Sequence, residues 1–299
     1  MKRKEVVVRI SGGLGNQMFR HVAALGLARQ TGRALSYDLT DFLIFHGRAY
    51  QMQEFEGPSR VPHWGRVRSA LYLVAYMVYK RVSARLFPVL LRLLNVHRFD
   101  EVSPWKAEPA FFDPAVRSSG RTLYVDGNCQ HLKYFPDEQI VRDEFRFAHP
   151  PRERNRALLE HCGTGETVSV HVRRSDYLTL SNSVLSFDYY LRAVELVRAR
   201  VPSARWVVFS DDIPWCREQF GFLGDAVYVE GNEDEPWEDL RLMAACKHHI
   251  IANSTFSWWG AYLGRDPAGV AVAPENWFEG LPTASCLLKD GWLTAPSFR

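Results

Sequence analysis

Short β-branched runs alternate along this sequence with longer stretches of helical spacing, and that rhythm limits the chain to very few folds. Residues 6–10 read as a buried strand and 11–15 as a turn. Residues 17–30 read as a helix with Phe19, Val22, Ala23 and Leu27 on one face, and 34–38 as a second strand. Beyond residue 160 the alternation is cleaner. Strands are expected at 168–172, 206–209, 227–229, 249–252 and 270–273, with helices near 188–200, 214–220, 236–247 and 255–263. Parallel strands need a crossover, and the crossover helix lands on a face of the sheet; the expected class is therefore α/β with parallel sheets covered on both faces.

Between the two βαβ regions lies a less regular, proline-punctuated middle, and the segment 148–152 is the best linker. At roughly 150 residues per domain, 299 residues make two domains, expected at 1–150 and 151–299. The 37 basic and 34 acidic residues leave a net charge of only +3, so no nucleic-acid partner is expected. Five scattered cysteines, with no CxxC pair, fit neither a disulfide scaffold nor a zinc site. The charged N-terminus runs straight into a strand, so a cytoplasmic protein is expected. Residues 66–96 stand apart: an apolar run at 71–79 is flanked by Arg66, Arg68, Lys80, Arg81 and Arg85. It is far shorter than the roughly 20 residues that span a bilayer. It reads either as a basic amphipathic helix in peripheral contact with the inner face of a membrane or as a buried helix with basic ends, the second being preferred.

Four motifs carry chemistry. Gly12-Gly13-Leu14-Gly15-Asn16-Gln17 is a glycine turn between strand and helix, where Gly13 and Gly15 let a ligand approach the backbone. Asn16 and Gln17 at its tip suit hydrogen bonds to sugar or phosphate. Asp38 lies about 20 residues on, as in dinucleotide sites, but Met18 replaces the third glycine of that fingerprint. His171-Val172-Arg173-Arg174-Ser175-Asp176 ends a strand, where ligands of open α/β sheets bind, and its guanidinium forks suit a diphosphate. Asn253-Ser254-Thr255-Phe256 opens a helix with hydroxyl and amide caps, a ready anion site expected to face His171 and Arg173. Asp211-Asp212 ends another strand. With two arginines already suited to a diphosphate no metal is expected there or at Glu233-Asp234-Glu235; Asp211 and Asp212 are expected to accept hydrogen bonds from a base or ribose, or to cap the next helix. Cys246-Lys247-His248-His249 reads as structural, since adjacent strand residues face opposite ways.

In that order, Gly12–Phe19, His171–Tyr177, Phe209–Asp212 and Asn253–Gly260 resemble the motifs of the bacterial α-1,2-fucosyltransferases, glycosyltransferase family 11, most strongly over residues 165–280. Ser175 stands where the family usually has Gly. The resemblance implies a GT-B-like architecture of two Rossmann-type domains facing a central cleft, the first on the acceptor side and the second binding the donor. It implies GDP-fucose as donor, a galactose-terminated oligosaccharide as acceptor, an α-1,2 linkage formed with inversion, and no metal or other cofactor. Within that frame Arg173 is expected to stabilise the leaving GDP and Arg174 to be its second-choice ligand. Asp176 is expected either to act as base or to orient an arginine, and Asn16 to orient the acceptor hydroxyl. The reading from another class is a dinucleotide oxidoreductase using the Gly12–Gly15 loop and Asp38; a lectin-like module is more distant, because galactose binding needs no paired arginines.

Overall fold

The computed structural model describes residues 4–44, 48–81, 85–101, 119–174, 184–282 and 285–298. The chain divides into two compact α/β units, residues 1–148 and 149–299.

In the first unit β1 (Glu5–Arg9) leads through α1 (Leu14–Thr31) to β2 (Ala34–Asp38), then come α2 (Arg66–Arg81), α3 (Phe87–Leu93), β3 (Val96–Glu101), β4 (Thr122–Gly127) and α4 (Glu138–Glu144). The sheet is parallel, in the order β2-β1-β4-β3. Val6, Val7 and Val8 are fully buried because β1 is central and covered on both faces. The turn before α1 needs glycine: Gly12 has φ +77°, and Gly13 occupies the N-cap position. β3 and β4 lie in the stretch the sequence presents as irregular. Their strand character comes from pairing, Phe99 opposite Val125 and Val8 opposite Val125 on the other side.

α2 is buried on one face only. Tyr72 and Ala75 pack inward, with Tyr72 stacked 3.8 Å from the Tyr124 ring, whereas Val67, Leu71, Val74 and Met77 are exposed. The preferred expectation of a buried helix is corrected: its apolar residues encircle more of the helix than the sheet can cover.

In the second unit α5 (Arg156–Gly163), β5 (Thr167–Val172), α6 (Phe187–Arg198), β6 (Arg205–Ser210), α7 (Ile213–Gln219), β7 (Val227–Tyr228), α8 (Pro236–Ala245), β8 (His248–Ile250), α9 (Thr255–Tyr262) and β9 (Ala271–Pro274) follow one another. A small antiparallel ribbon, β10 (Asn276–Phe278) with β11 (Leu281–Pro282), precedes β12 (Leu293–Ala295). The main sheet is parallel, in the order β12-β9-β8-β5-β6-β7. The chain leaves β5 in one direction, to β6 and β7, and returns on its other side at β8. One face buries Val168, Val170 and Val172 with α6; the other holds Val207, Phe209, Leu242 and Met243. Each unit is thus a Rossmann-type α/β layer structure, as the alternation predicts.

At Gly26 of α1 the chain passes so close that a Cβ would overlap the backbone carbonyl oxygen of Tyr134. Gly26→Ala raises helix propensity by about 1 kcal/mol, yet it is expected to destabilise the protein by about 1–3 kcal/mol through overpacking. Urea unfolding of the variant checks the sign.

Candidate functional site

Strand order reverses between β5 and β8, and open α/β sheets bind ligands beyond the carboxyl ends of the strands at such a switch point. Four of the sequence-predicted residues, His171, Arg173, Asn253 and Phe256, lie at this edge. His171, on β5, is 5% exposed and its ring meets Phe256, at the start of α9, edge-on at 5.8 Å. The strand-end motif and the hydroxyl turn therefore converge, as expected. Burial and the neighbouring Arg173 push the imidazole down to about 3, so His171 is neutral at physiological pH. Its Nδ1 is buried without a hydrogen-bond partner.

Arg173 and Arg174 are held by the next strand over. Arg173 Nη1 lies 3.1 Å from Asp211 Oδ2, and the Arg174 backbone N–H donates to Asp211 Oδ1 at 2.8 Å. Arg174 Nε donates to Asp212 Oδ2 at 3.1 Å, and its guanidinium stacks 3.9 Å over the Trp215 ring. Asp212 also caps α7, accepting from the Trp215 N–H at 3.2 Å. Of the roles open to the two aspartates, capping is what Asp212 performs, and both anchor the arginines. A guanidinium carries five donors and a permanent charge, so Arg173 is chemically suited to an anion while it is held by Asp211. Asp176 and Ser175 lie outside the described residues.

At the hydroxyl turn Asn253 is 1% exposed and donates from Nδ2 to the Trp277 carbonyl at 2.7 Å. Ser254 caps α9, its Oγ accepting from the Phe256 N–H at 3.3 Å, and Thr255 is half-buried. Asn253 and Ser254 thus shape the turn and bring the N-terminus of α9 to the same edge as His171. Elsewhere, Glu235 is held by Arg152 and Arg154, His248 pairs with Glu166 at 2.8 Å and His249 with Ser169 at 2.8 Å, so these groups are spoken for. Among the described residues no cluster of three or more His, Cys, Asp or Glu is arranged to hold a metal.

In the first unit the order reverses between β1 and β4, and the glycine turn lies at that edge. Gly13 has open space where a Cβ would point, which leaves its backbone approachable. Asn16 Oδ1 accepts from Gln130 Nε2 at 3.1 Å. Gln17 is fully buried: Nε2 donates to the carbonyls of Gly12 (2.8 Å) and Ala49 (2.9 Å), and Oε1 accepts from the Gln51 N–H at 3.0 Å. It pins a distant segment to the turn rather than presenting its amide to a ligand. Asp38 is 2% exposed, and its carboxylate accepts from the Tyr124 hydroxyl at 2.7 Å and from Thr40 N–H at 3.0 Å. Asp38 is thus buried and held within its own unit, and the oxidoreductase alternative has no support.

Sequence reasoning missed a cationic cluster at this edge. Asp126 is approached by Arg98 (3.1 Å), Arg9 (3.3 Å) and Arg20 (3.8 Å), while Arg9 also pairs with Asp41. The available signal was Arg20, four residues after Asn16 on a helix that is otherwise buried on that side.

The model of glycosyl transferase family 11 matches residues 120–293, more than half of the chain. An α-1,2-colitosyltransferase of Escherichia coli is 29% identical over 92% of this chain and 92% of its own length. A galactoside α-(1,2)-fucosyltransferase 1 of Saimiri sciureus is 36% identical over 50% of this chain and 43% of its own. The NodZ α-1,6-fucosyltransferase of Bradyrhizobium, in a crystal soaked with GDP-fucose, shares the fold with a TM-score of 0.52 at 17% identity, covering 88% of this chain and 93% of that one. The two Rossmann-type units are thus those of a GT-B fucosyltransferase fold.

The neutral His171 has a thermodynamic consequence. Its folded pKa lies below the ordinary value of about 6.5, so the unfolded chain takes up the proton first and stability falls as pH drops from about 6.5 toward 3. By linkage the contribution lost between pH 7 and pH 5 is about 2 kcal/mol. Urea unfolding at both pH values is expected to show a loss smaller by that amount in His171→Gln; equal losses would contradict the assignment.

Proposed function

The chain belongs to glycosyltransferase family 11, and from that premise we propose that it transfers L-fucose from GDP-fucose to the 2-hydroxyl of a terminal galactoside, with inversion at the anomeric carbon. The observation that carries this reading is the meeting of β5 and α9 at one switch point, Arg173 and His171 on one side and the N-terminus of α9 on the other.

In the transfer the bond between the fucose anomeric carbon and the β-phosphate oxygen breaks as the acceptor 2-hydroxyl oxygen attacks from the opposite face. Negative charge grows on the departing GDP, and preorganised donors aimed at that charge contribute most to the rate. Arg173 takes this role with the backbone N–H groups and hydroxyls of Ser254 and Thr255. Arg174, tied to Asp212 and stacked on Trp215, fixes the local backbone. His171 offers an uncharged ring nitrogen to the nucleotide. The acceptor proton goes to a carboxylate, for which Asp176 is the candidate, and Asn16 with Gln130 orients the hydroxyl. The glycine turn lends backbone N–H groups at Gly13 and Gly15. No metal is needed where guanidinium and helix terminus meet the diphosphate charge.

The full-length similarity to a colitosyltransferase supports a second donor, since colitose is fucose lacking the 3-hydroxyl. Product analysis with GDP-fucose or GDP-colitose and lactose, Galβ1-3GalNAc or Galβ1-3GlcNAc separates the two. A fucosylated disaccharide, resistant to change by chelator, is the expected result; stabilisation by NADH alone in a thermal-shift assay, with no transfer, would overturn the proposal. Arg173→Ala is expected to lower kcat by at least about 10²-fold with the fold intact. Arg173→Lys recovers little, because a point ammonium cannot replace the fork.

A further inference from the structure

Helices α2 and α3 carry an apolar surface that their own unit does not cover, and we propose that this surface seats the protein on an anionic lipid bilayer. On α2, Val67, Leu71 and Val74 follow helical spacing and are 74%, 49% and 52% exposed; Val89 and Leu93 continue the surface on α3, Leu93 at 77%. Leu71 of α2 and Leu93 of α3 border the same hollow, so the exposed apolar residues of the two helices adjoin there. Contiguous exposed apolar surface of this kind marks an interaction site.

Charge identifies the occupant. Residues 57–99 contain eight Lys and Arg and not one Asp or Glu, in a chain whose total is only +3. Arg60, Arg68 and Arg98 pair with Glu56, Glu5 and Asp126, and the charge that bears on the patch comes from the others, Arg66, Lys80, Arg81, Arg85 and Arg92. Arg85 and Arg92 are exposed beside the apolar residues. Two copies of the chain meeting through this patch would bring like charge against like charge, whereas phosphate headgroups complement it and each cation near such a surface adds to binding. The helices lie on the bilayer rather than cross it: α2, at 16 residues, is about 24 Å long against a hydrocarbon core of about 30 Å. No helix among the described residues is long and apolar enough to span. The inference stands independently of the proposed reaction.

Co-sedimentation of the full chain with vesicles of phosphatidylcholine containing one third phosphatidylglycerol, and with phosphatidylcholine alone, tests it. Binding is expected to the anionic vesicles, to fall at least tenfold on the neutral ones, and to weaken as salt is raised to about 0.5 M. The double substitutions Val67→Ser with Leu93→Ser, and Arg85→Gln with Arg92→Gln, are each expected to lower partition at least tenfold without moving the thermal unfolding midpoint. Three results would overturn the proposal: no binding to anionic vesicles, equal binding to both kinds, or a wild-type dimer in solution that Val67→Ser with Leu93→Ser dissociates.

Discussion

Everything at the candidate site depends on β5 being hydrogen-bonded between β6 and β8 and buried on both faces. Val172 pairs with Ser210 on one side and Val170 with Ile250 on the other, so the carboxyl ends of three strands are locked in register. That register delivers Arg173, Arg174, Asp211 and Asp212 to one edge and the Asn253–Phe256 turn to its neighbour. The chain reverses its direction across the sheet between β5 and β8, the place where open α/β sheets bind ligands.

The electrostatics of that edge follow from the same register. Two arginines side by side repel, and the two aspartates that follow β6 offset the repulsion one for one. Asp211 is engaged twice over, by the Arg173 guanidinium and by the Arg174 N–H. His171 adds polarity without charge, since its desolvated ring cannot hold a proton beside a guanidinium. The arrangement fixes a permanent cation at the strand end, the preorganisation on which the proposed reaction relies.

The strands and helices around the site were legible wherever burial on both faces enforced continuous apolar runs, as in β1 and β5. β3 was not, because its sequence Val96-His97-Arg98-Phe99-Asp100-Glu101 mixes charge with apolar residues at a sheet edge. Arg173 and the hydroxyl turn could be read from their places at strand ends. The anchoring role of Asp211 and Asp212 could not, since it arises from pairing between strands about 38 residues apart. Gln17 was misleading for a similar reason: only the fold brings residues 49–51 back to absorb its amide. The half-exposed α2 shows the limit of apolar content as a guide to burial, because a sheet covers one face of a helix and leaves the rest to solvent or to a partner.

Amide hydrogen exchange with and without GDP tests the central claim most directly, because it locates the nucleotide without depending on turnover. Saturating GDP should slow exchange at Arg173 and Arg174 and across Ser254–Ser257 together, since both edges of one crevice close on the same diphosphate. Protection confined to Gly12–Gln17, with the α9 N-terminus unchanged, would contradict it.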